Sequence, residues 1–397
     1  MTRKPIRNLS LTLLTASALL AASAVMTACD SKELVMPDGP LPSRDKVPLQ
    51  LTSGISTTRS ITRAHDTWWD ANDKIGVFTT KAGGDGTTEH PYELTASGSQ
   101  VDKNIAYTIT TAQQTLDGTT HVYKAFSPFS SESQIYLPAD GSDVDVYAYY
   151  PWTDGVGITA SDQLNISITG TTAAQTFAEQ KSFDVLKAKV LTDLANNKPI
   201  DIDHTTAQLL FSHILSKVII KVKVGTGYSS TDLSRRVAAV ITGQPVSAKF
   251  NPVTQALTIT DGSYTIIPLE ITDSNDPEYS ILSEANVVCA FRALLLPNLP
   301  NGTTQNPATD TDRKIIFTVG DKTPGAVTAT YQFDLSNNNT PAVNETPAGS
   351  PNVFEEGKVT VFTLTLAATG ITIEASIEPW STVNISPDDP LYEVTGS

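Results

Sequence analysis

Between Val47 and Glu378 the chain repeatedly breaks into short runs that favour extended backbone, each bounded by Gly, Pro, Asn, Asp or Ser. The clearest is Ile371-Thr372-Ile373-Glu374-Ala375-Ser376-Ile377-Glu378, where apolar and polar residues alternate without interruption. A period of two puts Ile371, Ile373, Ala375 and Ile377 on one face of a strand and suits no helix. Similar signals predict strands at 105–110, 122–126, 144–150, 164–168, 238–241, 257–260, 264–268, 287–296, 314–319, 328–333, 358–366 and 370–378. Phe183–Ala188 reads as a further strand, and 209–224 as a run that becomes a plain strand from Val218. One short helical turn is expected near 173–180. Strands at this spacing, with turn residues between them, predict an all-β chain of β-sandwich type. A polar stretch at 191–203 divides the body, so one sandwich is expected over 46–200 and a second over 201–397.

The apolar fraction of 40% is enough for packed cores. Disulfides cannot supply the stability, because the two cysteines are Cys29 and Cys289, and Cys289 lies in an apolar run as a buried thiol. The formal charge of −15 repels phosphate backbones and argues against a nucleic-acid partner. Cys29 has a different setting. Arg3, Lys4 and Arg7 precede an uncharged apolar stretch, which closes on Thr27, Ala28 and Cys29. That is the form of a secretory signal over 1–28 ending at a cysteine that receives lipid. The alternatives are a transmembrane helix, for which the stretch has only about the minimum of ~18 residues, and an ordinary signal cut elsewhere. Residues 29–45, with Pro37, Gly39, Pro40 and Pro42, read as a linker.

Little in the chain suggests catalysis. The five histidines, His65, His90, His121, His204 and His213, form no pair at zinc-ligand spacing. Asp70-Ala71-Asn72-Asp73 resembles the start of a calcium loop but lacks the required glycine and terminal glutamate. Asp201 and Asp203 fall in a polar turn, and neither a Gly-x-Ser-x-Gly elbow nor a phosphate-cradling loop is present. Neither an enzymatic activity, a metal nor a cofactor is expected.

The two ends of the body are more informative. In Val47-Pro48-Leu49-Gln50-Leu51-Thr52-Ser53-Gly54-Ile55, the side chains of Val47, Leu49, Leu51 and Ile55 share one face, with Ser53 interrupting. Pro48 has no N–H for a ladder, which predicts an edge strand. A polar stretch carrying Arg59 and Arg63 follows at once. A sandwich without such a strand exposes backbone donors and acceptors beside an apolar groove, which the alternating strand 371–378 of another copy can fill. Its four apolar side chains bury at roughly 1.5–3 kcal/mol each. Cleavage after an arginine between the first strand and the body would switch such a joint on. A second reading is a non-polymerising surface lipoprotein that binds a glycan or host ligand, with Trp68, Trp69, Trp152 and Trp380 as stacking platforms.

Taken in order, several stretches resemble the Bacteroidales fimbrillin (Mfa-like) family, the subunits of type V pili. They are the signal ending at Cys29, Thr62-Arg63-Ala64, Trp69-Asp70 with Asp73-Lys74-Ile75-Gly76-Val77-Phe78, and Val146-Tyr147-Ala148-Tyr149-Tyr150-Pro151. Asp184-Val185-Leu186-Lys187-Ala188, Phe211-Ser212-His213-Ile214-Leu215-Ser216-Lys217 and Ile377-Glu378-Pro379-Trp380 complete the set. The resemblance implies two tandem transthyretin-like Greek-key sandwiches, export as a palmitoylated lipoprotein to the outer membrane, and polymerisation with other pilin subunits into a fimbria supporting adhesion. It further implies an arginine-specific protease that removes the first strand, with Arg59 and Arg63 as cleavage candidates. A ligand on a host or bacterial surface is an additional partner of this reading.

Overall fold

The computed structural model describes residues 46–55, 73–97, 100–116, 119–168, 175–193, 197–227, 229–230, 237–261, 264–274, 276, 278–297, 314–320, 327–334, 354–367 and 370–380. In chain order its strands are β1 (Gln50–Ile55), β2 (Lys74–Lys81), β3 (Ala96–Ser97), β4 (Gln100–Val101), β5 (Ile105–Leu116), β6 (Thr119–Pro128), β7 (Val144–Tyr150), β8 (Leu164–Ser167), β9 (Leu186–Val190), β10 (Thr206–His213) and β11 (Ser216–Val224). They continue as β12 (Val237–Gln244), β13 (Ser247–Phe250), β14 (Leu257–Asp261), β15 (Tyr264–Ile266), β16 (Leu269–Glu270), β17 (Val287–Leu295), β18 (Lys314–Gly320), β19 (Val327–Asp334), β20 (Lys358–Ala367) and β21 (Gly370–Pro379). Helix α1 spans Phe177–Phe183. The all-β expectation holds. No helix among these residues is long and apolar enough to cross a membrane.

Seven strands close a barrel in the order β1-β10-β9-β7-β2-β5-β6, with β6 returning to β1. Leu51, Ile75, Val77, Ile109, Phe126, Val146, Leu209 and Phe211 are among the side chains that fill it. β7 shows why a continuous apolar run is needed here. Its Val144, Val146, Ala148 and Tyr150 belong to the barrel core, while Tyr147 and Tyr149 belong to a second, larger core. A strand covered on both faces has no polar side to alternate with.

The second core is built on a five-stranded sheet, β16-β17-β11-β20-β21, and a four-stranded sheet, β15-β12-β18-β19. Val218, Ile220 and Val222 of β11 share it with Phe362 and Leu364 of β20, Val237, Ala239 and Ile241 of β12, and Ile315, Phe317 and Val319 of β18. Along β12 and β18 the buried positions alternate with more open ones, as a half-buried strand requires.

Three local expectations are corrected. Phe183 is not the start of a strand but the last residue of α1. The helix starts later than expected because Thr176 caps it: its hydroxyl accepts from the Glu179 N–H, and the Glu179 carboxylate accepts from the Thr176 N–H. Residues 209–217 are two strands, not the lead-in to one, since β10 ends at His213 and β11 begins at Ser216. The first strand does not lie at an edge. Pro48 precedes the strand proper, so its missing N–H costs the ladder nothing, and β1 runs between β10 and β6.

Candidate functional site at the two terminal strands

The apolar face of the first strand points into the barrel. Leu49 and Leu51 are each 3% exposed, and Val47 packs against the same core half-buried. The side chain of Ile55 lies outside the described residues, but its backbone stands opposite Phe211. β1 runs parallel to β10 over six pairs, from Gln50↔Thr206 to Ile55↔Phe211. On its other side only Leu51↔Phe126 and Thr52↔Ala125 pair it to β6. Before the strand, the N–H of Leu49 donates to the Ile135 carbonyl at 3.0 Å, and that of Leu137 donates to the Val47 carbonyl at 2.8 Å. β1 is therefore a stave that closes the barrel over Ala207, Leu209 and Phe211, all of them buried.

The C-terminal strand is engaged in its own sheet. β21 pairs antiparallel with β20 over ten residues, with Ile371 opposite Leu366, Ile373 opposite Leu364, Ala375 opposite Phe362 and Ile377 opposite Thr360. The four partners on β20 are buried, so the apolar row of β21 occupies core positions in the register. Ala375 is buried and Ile377 half-buried; the side chains of Ile371 and Ile373 lie outside the described residues. The row was legible from the alternation, and its present partner is the neighbouring hairpin strand.

A buried ionic cluster that the sequence pattern did not expose lies on the opposite face of the five-stranded sheet. Arg292 of β17 donates through Nη1 to Asp276 at 2.9 Å and to Glu278 at 2.6 Å, and through Nε to the Gln180 amide oxygen at 2.8 Å. Lys217 of β11, fully buried, donates to the other oxygen of Glu278. Burial alone would raise the Glu278 carboxyl, but Lys217 and Arg292 together hold it below its ordinary value. Gln175 then caps the β17 edge as a strand would. Its amide donates to the Leu294 carbonyl at 2.7 Å and accepts from the Leu294 N–H at 2.9 Å. Arg292 is the one charge in the apolar run 287–296, and that is the signal that marks it, whereas Lys217 shares its run with Lys221 and Lys223 and carries no such mark.

The remaining expected residues fall as follows. Cys29, Arg59, Arg63, His65, Trp68, Trp69 and Asp70 lie outside the described residues. His90 is exposed, while His204 stands 3.0 Å from Asp201 in a turn that also ties Asp203. Asp73 accepts from the Tyr150 hydroxyl at 2.9 Å, an ordinary packing role. Cys289 is buried in β17. No group of three or more potential metal ligands occurs among the described residues. The indole of Trp152 is half-buried and donates to the Asn104 carbonyl at 3.1 Å. Trp380 is 2% exposed, which removes it as a stacking platform.

A profile of the fimbrillin-like proteins matches residues 62–380, most of the chain. The chain belongs to the fimbrillin-like family. Within it, 347 residues are 26% identical to a Bacteroides uniformis protein described as "Putative fimbrium subunit Fim1C", covering 87% of this chain and 88% of that one. The fold is shared with a crystal structure of a "putative cell adhesion protein" from Bacteroides uniformis, at TM-score 0.52 and 22% identity over 84% of this chain and 99% of that one. A second such structure, from Bacteroides ovatus, gives TM-score 0.50 and 18% identity over 85% and 99%. The family match ends at Trp380, the residue that closes β21.

Proposed function

We propose that this fimbrillin-like chain is a structural, non-enzymatic subunit of a surface fimbria that supports adhesion and polymerises by strand exchange with other pilin subunits. In this reading the chain is exported as a lipoprotein acylated at Cys29 and held at the outer membrane. An arginine-specific protease then cuts after Arg59 or Arg63 and releases the segment that includes β1. Its two β-rich halves are transthyretin-like Greek-key sandwiches.

One observation carries the proposal: β1 is a single stave between β10 and β6, and it can be withdrawn without unthreading any other strand. Its loss would leave the backbone edges of β10 and β6 unpaired beside an apolar groove over Leu209, Phe211 and Phe126. The apolar row Ile371, Ile373, Ala375 and Ile377 has the same period as Val47, Leu49, Leu51 and Ile55, so one strand can replace the other. A donated β21 must first leave β20. Its own pairing is lost and an equivalent pairing gained, so exchange is driven by the groove that cleavage opens.

Limited digestion of the full chain with trypsin tests this. Cleavage after Arg59 or Arg63 is expected to yield a ladder of oligomers that survives mild detergent. A cleaved product that stays monomeric from micromolar to millimolar concentration would refute strand exchange at this groove.

A further inference from the structure

The geometry points to Trp380 as a clasp that holds β21 in its own sheet and links that strand to β1 through His213. This rests on the strand-exchange reading in naming β21 and β1 as the strands that move.

β21 is tied to β20 at Ala367↔Gly370, so it can peel away only from its far end, at Pro379 and Trp380. That end is pinned. The Trp380 indole stacks on the His213 imidazole with ring centroids 3.9 Å apart and planes 1° from parallel. The Trp380 main-chain N–H donates to the Gly357 carbonyl at 2.8 Å. The Lys217 ammonium stands 5.2 Å from the indole centroid, placing a cation beside the same ring.

The imidazole is itself fixed. His213 Nδ1 lies 2.9 Å from an Asp184 carboxylate oxygen, and both residues are buried. The next residue, Ile214, donates its N–H to the Val185 carbonyl at 3.0 Å. The clasp therefore closes against the barrel, because His213 is the last residue of β10.

The pairing of β10 makes the link to β1. Six of its residues, Thr206 to Phe211, pair with β1, whereas only Ser212 and His213 pair with β9. The last β1 partner, Phe211, is two residues from His213. Withdrawal of β1 would leave β10 held in its sheet by those two pairs alone, and the platform under Trp380 would loosen.

The clasp also contains an opposing element. Among the described residues, Trp380 Nε1 finds no acceptor and Asp184 Oδ2 no donor, although both atoms are buried. Buried groups without partners regain hydrogen bonds when they reach water, which favours opening. Stacking and burial hold the contact, and these two atoms weaken it. Such a contact keeps β21 in place while β10 is rigid and releases it when β10 is not.

Hydrogen exchange of the uncleaved full chain tests the clasp without any assembly step. Trp380→Ala is expected to speed exchange of the β21 amides about tenfold, with β5 and β6 unchanged as the control for folding. His213→Gln, which keeps a hydrogen-bonding group beside Asp184 but removes the ring, is expected to do the same and decides the matter if Trp380→Ala does not fold. Leu51→Ala, which loosens β1, is expected to raise β21 exchange in the wild-type background and to add nothing in the Trp380→Ala background. Unchanged β21 exchange in His213→Gln would overturn the clasp. Faster exchange in β10 but not in β21 for Leu51→Ala would overturn the link. If all these results hold and the cleaved chain still forms no oligomers, strand exchange fails while the clasp stands.

Discussion

Asp102 is a fully buried carboxylate that no cation faces in its hydrogen-bond set. Ser97 donates to one oxygen at 2.7 Å and Thr95 to the other at 2.8 Å, while the Thr79 and Thr95 hydroxyls lie 2.5 Å apart. Burial raises its folded-state value above the ordinary 3.8, and the hydroxyl donors offset only part of that. The sign follows from linkage. Between 3.8 and the raised value the folded state keeps a proton that the unfolded chain releases, so stability falls as pH rises through that window. Glu278 has the opposite sign, since its folded value lies below 4.5 and its contribution is lost as pH falls through that lower range. Asp102→Asn is therefore expected to gain stability relative to the wild type as pH rises from about 3.5 to 7. Urea midpoints measured across that interval check this. A wild-type minus variant difference that does not change with pH would show that Asp102 titrates as it does in the unfolded chain. None of this environment was legible in the sequence, because the hydroxyls come from β2, from β3 and from the residue before it, and only the sheet topology gathers them.

At the scale of elements, Arg292 is the centre of the buried ionic cluster. Its partners come from α1 (Gln180) and from the segment before β17 (Asp276 and Glu278), and Glu278 carries the contact on to Lys217 of β11. The guanidinium also stands 5.4 Å from the Phe177 ring centroid, so the helix packs on it from outside. Replacing it by alanine leaves two buried carboxylates with only Lys217 nearby. Breaking a buried pair in this way costs about 3–5 kcal/mol, a sizeable part of a typical domain stability of roughly 5–15 kcal/mol. Thermal and urea unfolding of Arg292→Ala are expected to show that loss, and a change below about 1 kcal/mol would mean the cluster contributes little. Several strands, β17 of the cluster among them, were legible in the sequence. The run 144–150 matches β7 residue for residue, and 287–296 differs from β17 by a single residue at its end. β10 was not separable from β11, because Ile214 and Leu215 between them are buried and apolar and no Gly or Pro marks the break. Its partner β1 lies some 150 residues earlier in the chain, and local periodicity carries no information about a pairing that distant. The same limit hid the barrel closure and made Pro48 look like the mark of an edge.

At the scale of the whole molecule, charge bears on the proposed assembly. The chain carries a formal −15. Residues 29–59, the part of the exported chain that cleavage after Arg59 would release, hold four Lys and Arg against four Asp and Glu, so the cleaved body keeps the acidic charge of the uncut lipoprotein. The proposed switch thus opens an apolar groove without relieving the repulsion between acidic subunits. Strand insertion is a short-range interaction of backbone and apolar side chains, whereas the repulsion acts over the Debye length, about 30 Å at 0.01 M salt and about 8 Å at 0.15 M. Like-charged bodies meet more slowly when that length is long. Oligomers of the cleaved chain are therefore expected to form about tenfold faster at 0.15 M than at 0.01 M sodium chloride. The finished oligomers are expected to persist on dilution into low salt, because the inserted strand is held by contacts that salt does not screen. Light scattering after cleavage, followed by dilution, measures both. Faster assembly at low salt would place complementary charges at the subunit contact and make the acidic surface part of the joint.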